Sequence, residues 1–224
     1  NSSSIHHRTE TTLDGFNNAN PGWLGDSKIM LRYLAKNDGM GEGLRVILGG
    51  GLSVPSNNVL TSDPFFLKGE KKTDHRHFSL STGSYKYILE SQLFFKRPAN
   101  PVFFGGFLVY EHPISENEHN YLAPPLLNIS LSATFKRFDK RDSSLGYGVG
   151  ILQSGNGYWH GIREPNSKSL SISPTISYLL NASGGAISFN ISKPFFFEGS
   201  FYSNEGDIGQ GSNIWQFAVS FRKI

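Results

Sequence analysis

The sequence predicts an all-β protein: one domain over residues 1–224, folded as a single antiparallel transmembrane β-barrel of about ten strands. Three observations carry this. Apolar and polar residues alternate with a period of two along most of the chain, the signature of a strand with one apolar and one polar face. The connections between these stretches alternate short and long, as in outer-membrane barrels with short periplasmic turns and long extracellular loops. Aromatic residues gather near both ends of the strands, where interfacial girdles belong.

Composition sets the frame. The 224 residues are 38% apolar and 17% charged, with 25 Gly, 18 Phe, 9 Tyr, 2 Met and no Cys. The absence of Cys excludes disulfides, zinc–thiolate sites, Fe–S clusters and a Cys nucleophile. No run of about 18 apolar residues is present, so no transmembrane helix is expected. A net charge of +3 without a Lys/Arg block excludes an electrostatic nucleic-acid surface.

The first strand is expected over 4–12, followed by 26–36, 43–54 and 77–96. In the last of these, Tyr85, Tyr87, Leu89, Leu93 and Phe95 alternate with Lys86, Glu90, Gln92 and Lys96. Strands over 101–111 and 125–137 come next. The second has Leu127, Ile129, Leu131, Ala133 and Phe135 against Asn128, Ser130, Ser132, Thr134 and Lys136. Strands at 144–153, 167–180, 185–195 and 213–223 complete the set. Short connections fall at 37–42, 97–100, 138–143 and 181–184; long ones fall at 13–25, 55–76, 112–124, 154–166 and 196–212. One aromatic belt comprises Tyr33, Phe94, Phe95, Phe103, Phe135, Phe138, Tyr178 and Phe221. The other comprises Trp23, Tyr85, Tyr110, Tyr121, Tyr158, Trp159, Phe195 to Phe197 and Trp215. The last strand, WQFAVSFRKI, alternates aromatics as terminal barrel strands do, although it ends in Lys223–Ile224.

Several segments resemble the outer-membrane barrels of the phenol meta-pathway degradation type, a transporter family. They are GWLGDSKIMLRY (Gly22 to Tyr33), GLRVILGGGLSVPS (Gly43 to Ser56), LSTGSYKYIL (Leu80 to Leu89), LSISPTISYLL (Leu170 to Leu180) and WQFAVSFR (Trp215 to Arg222). Ser56 stands where the family has Thr-Gly, and Thr175 follows Pro174 where Gly is usual. The resemblance implies an outer-membrane barrel and uptake of small aromatic compounds. It brings no catalytic residues.

If the apolar set faces lipid, the opposite set lines a lumen. That set is Lys28, Arg32, Arg45, Lys86, Glu90, Gln92, Lys96, Asn128, Ser130, Ser132, Thr134, Lys136, Ser171, Ser173, Ser188, Asn190, Gln216 and Arg222. Its seven cations against Glu90 predict attraction of anionic solutes. The competing expectation is that these side chains pair and fill a lumen narrow at this strand number, despite inward Gly49, Gly51, Gly148 and Gly150. The function expected is a narrow, porin-like passive channel or uptake protein for small aromatic or anionic solutes in a Gram-negative outer membrane. The alternative is a non-transporting barrel that serves a larger outer-membrane complex, docking a protein partner through loops 55–76, 112–124 and 196–212 or through its wall. Its surroundings would be outer-membrane lipid and lipopolysaccharide. No cofactor or metal is expected. The seven histidines lie on strand ends and loops, and His75 and His77 lack a third ligand at a fixed spacing. No enzyme is expected either, since no Ser–His–acid arrangement is supported by spacing and His160 near Ser154 is only suggestive.

Overall fold

The computed structural model of the chain describes residues 5–8, 16–19, 24–39, 41–61, 63, 65, 67, 79–136, 143–182, 184–199 and 214–223. Its regular structure among these residues is entirely β. A small hairpin pairs β1 (Ile5–Arg8) with β2 (Phe16–Ala19) as a separate two-stranded sheet. The strand expected over 4–12 is therefore shorter than expected and stands outside the large sheet. Its hydrogen bonds go to Phe16–Ala19, inside what reads in sequence as a long connection.

The large sheet is built from β3 (Ser27–Asn37), β4 (Gly43–Val54), β5 (Lys86–Lys96), β6 (Phe103–Pro113), β8 (Leu126–Lys136), β9 (Ser143–Ser154), β12 (Ser169–Ala182), β13 (Gly185–Ser192), β14 (Phe195–Glu198) and β15 (Gln216–Arg222). The order is β15-β13-β12-β9-β8-β6-β5-β4-β3, every pairing is antiparallel, and β14 pairs with β12 beyond the end of β13. Strands adjacent in the chain are thus adjacent in space. The break between β13 and β14 has a local cause. Pro194 has no N–H to give, and it falls opposite Ser173, next to Pro174 in β12, which has none either. Only the Lys193 N–H to Pro174 O bond, at 3.2 Å, spans the gap.

The short connections 38–42 and 97–102 and the long connections 55–85, 114–125 and 155–168 reproduce the expected alternation. The strand expected from residue 77 begins only at Lys86. Residues 80–84 are held instead by loop bonds, with Leu80 and Ser81 both donating to Asn58 O and Gly83 at φ 71°. Two short β-strand pairs lie in the long connections: β10 (Tyr158–Trp159) pairs with β7 (Tyr121–Leu122) and with β11 (Ile162–Arg163). His160 and Gly161 turn the chain between β10 and β11 at φ 51° and 75°, the left-handed pair of a type I′ hairpin turn.

Directly opposed residues of an antiparallel sheet share a face, so the register sorts every side chain. One row runs Arg32, Gly49, Glu90, Val109, Asn128, Leu152 and Ser171; its neighbour runs Leu31, Gly50, Leu89, Tyr110, Leu127, Gln153 and Leu170. The first face is polar and the second apolar. Burial is inverted with respect to an ordinary globular core. Twenty-nine large apolar side chains are exposed among the described residues, Leu31 at 81% and Phe217 at 71%, whereas the buried apolar residues are Ile88, Tyr121, Ala123 and Trp159. Ten polar or charged residues are buried, Lys86 and Glu90 among them. A large apolar side chain is stabilised by about 1.5–3 kcal/mol on leaving water. An apolar face left wet would therefore forgo stabilisation on the order of tens of kcal/mol. Both margins of the sheet are bare: nearly all of β3 and all of β15 are exposed.

The aromatic belts change in part, and Phe196, opposite Ser171, lies on the polar face. Phe94 and Phe103 lie on the polar face, opposite Arg45 and Lys96 respectively. Tyr121 and Trp159 are packed together among the long connections. Tyr33, Phe95, Phe135, Tyr178 and Phe221 do lie on the apolar face near the short connections.

Candidate functional site

The register places Lys28, Arg32, Arg45, Lys86, Glu90, Gln92, Lys96, Asn128, Ser130, Ser132, Lys136, Gln216 and Arg222 all on the polar face. Near its middle, Arg32 Nε and Nη2 donate to Glu90 Oε1 and Oε2 at 2.7 and 3.0 Å. This is the two-pronged geometry that a planar guanidinium offers a carboxylate. The Glu90 side chain is only 4% exposed and Arg32 is 53% exposed. Gln92 Nε2 donates to the same Glu90 Oε1.

Toward the long connections, Lys28 pairs with Glu111, and Lys86 Nζ stands 4.0 Å from Asp26 Oδ2. Glu111 and Asp26 were not anticipated as lining residues, so the cationic excess expected on this face does not hold there: three of its seven cations face carboxylates. Glu111 was hidden because β6 does not alternate. Its polar face carries Phe103, Phe107 and Val109, as apolar as the opposite face with Phe104, Leu108 and Tyr110. Asp26 escaped because it precedes β3.

Toward the short connections the balance differs. Arg45 Nε donates to Asn37 Oδ1 and Nη2 to Gly39 O, both at 3.1 Å. Arg45, Lys96, Lys136 and Arg222 have no carboxylate partner among the described residues. Arg45 and Lys96, with Phe94 and Phe103 stacked 5.9 Å apart at 24°, line a cavity of about 390 Å³. The face is also uneven from side to side. Most long charged chains come from β3, β4 and β5, with Glu111 on β6, Lys136 at the short-connection end of β8 and Arg222 on β15, whereas β8, β9 and β12 contribute Ser130, Ser132, Gly146, Gly148, Gly150, Ser173 and Ser177. Gln216, at the far margin, accepts from Ser192 Oγ at 3.1 Å.

The long connections form a cap with its own small core. Tyr121 and Trp159 pack with ring centroids 4.6 Å apart, together with Ala123. Asn117 ties two of these connections: its Oδ1 accepts from the His119 and Tyr121 N–H groups, and its Nδ2 donates to Thr82 O. Glu164, 1% exposed, accepts from Tyr121 Oη at 3.1 Å. Ser167 Oγ accepts from Gly157 N–H and donates to Glu164 O, each at 2.9 Å. A Cβ on Gly157 would collide with Glu164 Oε2. Gly157→Ala is therefore expected to weaken the cap by about 1–3 kcal/mol, read as faster proteolytic nicking of 155–168 with the large sheet intact. Beneath the cap lies a cavity of about 370 Å³ whose floor is the strand ends bearing Asp26, Lys28, Ser53, Lys86 and Glu111.

His75 and His77 lie outside the described residues. Among those described, no group of three His, Asp or Glu side chains is placed to share a metal ion. His160 occupies the β10–β11 turn, its N–H donating to Asn120 O, and Ser154 Oγ donates to Gly155 O. No family model matches the chain, and no curated protein matches it either.

Proposed function

We propose that the large sheet closes into a barrel in a bacterial outer membrane and passes small solutes through a narrow, charge-lined interior. The observation that carries this is the inverted burial: apolar side chains exposed on one face, Arg32, Glu90 and Lys86 on the other. In hydrocarbon every backbone N–H and C=O needs an internal partner, which for a sheet means closure. The sorting of short and long connections to opposite ends supports the same reading, as does the likeness of several segments to transporter-type barrels.

The unpaired cations at the short-connection end favour small anions as the solutes that pass most readily. In planar bilayers under a KCl gradient, the reversal potential is expected on the chloride side. Replacing Arg45 and Lys96 together by Glu should move it toward potassium. Absence of any conductance would leave the second reading, a barrel that docks a protein partner through its long connections, which the packed Tyr121–Trp159 core of the cap favours. Stable copurification of a partner lost on deleting the cap would support that reading. A chain monodisperse in buffer without detergent would sink both.

A further inference from the structure

We infer that the cavity beneath the cap binds a neutral polyhydroxylated solute, a sugar or polyol. Its volume, about 370 Å³, lies in the range of small-molecule sites, roughly 300–1,000 Å³. Its floor holds a buried ammonium with little to do. The Lys86 side chain is 9% exposed, its Nζ is 4.0 Å from Asp26 Oδ2, and it makes no hydrogen bond among the described residues. Four ångströms is too long for a hydrogen bond but suits an inserted hydroxyl, which accepts from Lys86 and donates to Asp26.

Three more polar atoms of the lining point to the same chemistry. Asp26 Oδ1, Ser53 Oγ and Thr82 Oγ1 are buried without a hydrogen-bond partner among the described residues. Asp26 can only accept when ionised, Lys86 can only donate, and the two hydroxyls do both. A ligand that satisfies this mixture must itself both donate and accept at several neighbouring atoms, as vicinal hydroxyls do. The charges argue against an ion. Lys28 is already engaged by Glu111, so an anion would meet the carboxylates of Asp26, Glu111 and Glu164, and a cation would meet two lysines. Leu60, Leu80 and Leu126 in the lining offer the apolar surface that a sugar's C–H face packs against.

Trp159 lines the cavity and reports on it. In detergent micelles, titration with D-glucose or sucrose should change tryptophan emission saturably, and W159F should abolish the change. K86M and T82V, each close in shape to the native side chain, should raise the midpoint by about tenfold, the loss of one charged or well-placed hydrogen bond; strand content by circular dichroism confirms that both fold. The inference fails if neither sugar gives a saturable change up to about 100 mM, where a site of millimolar Kd would be filled. It also fails if folded K86M and T82V bind like the parent, or if L-alanine or benzoate saturates the signal at lower concentration than either sugar. Binding in micelles requires no passage across a membrane, so this outcome and that of the bilayer currents are read independently.

Discussion

Leu131→Arg is expected to destabilise the protein in lipid by about 2–4 kcal/mol, the cost of a cation facing hydrocarbon near the midplane of a barrel wall. Leu131 lies midway along β8, opposite Gly106 and Val149, on the apolar face, and its side chain is 54% exposed. Its neighbour Ser130 lies opposite Phe107 and Gly150 on the polar face. Gly150 has no side chain to displace, so Ser130→Arg should cost far less. Folding into liposomes followed across a urea series measures both. Equal costs at the two positions would show that neither face meets lipid.

The second large effect is an asymmetry within one ion pair. Arg32→Leu should be the more destabilising change, because it strips both charge-assisted bonds from a carboxylate that has almost no access to solvent. Glu90→Gln should cost less, on the order of 1 kcal/mol. The amide oxygen still accepts, and the half-exposed guanidinium is left where water reaches it. The same urea series checks this. A larger loss for Glu90→Gln would mean that Arg32 is the member that depends on the pair.

How much of this could be read from sequence follows from what alternation can encode. Period two set the faces in β8 and β12, where Ser and Thr oppose Leu and Ile except at Leu126 and Leu179, and all eighteen polar residues named from the sequence fall on one face. It was silent in β6, where both faces are apolar, so Glu111 was missed and with it the pairing of Lys28. It misled at residues 79–85, where an alternating run is diverted into loop bonds around Asn58 and Gly83. The cap lay beyond its reach altogether. The packing of Tyr121 on Trp159 and the burial of Glu164 join the connection after β6 to the one after β9, and no local pattern encodes contacts between loops. Aromatics near a strand end looked alike whether they lay on the apolar face, as Tyr33 does, or faced the charges, as Phe94 does.

The uneven distribution of side-chain size across the polar face bears on where anything could travel. In a closed wall, long Arg and Lys side chains on β3, β4 and β5 would fill one side, and the Ser and Gly in the middle of β8, β9 and β12 would leave the other side clearer between Leu152 at one end and Lys136 at the other. The route would then be an off-centre crescent: one bank of hydroxyls and bare backbone, the other a fringe of fixed charge. A solute on that route would be sized by the smooth bank and sorted by sign at the charged one. The two properties would then evolve separately, since a methyl added at Gly148 narrows the crescent without touching a charge, and a charge changed at Arg45 leaves its width alone.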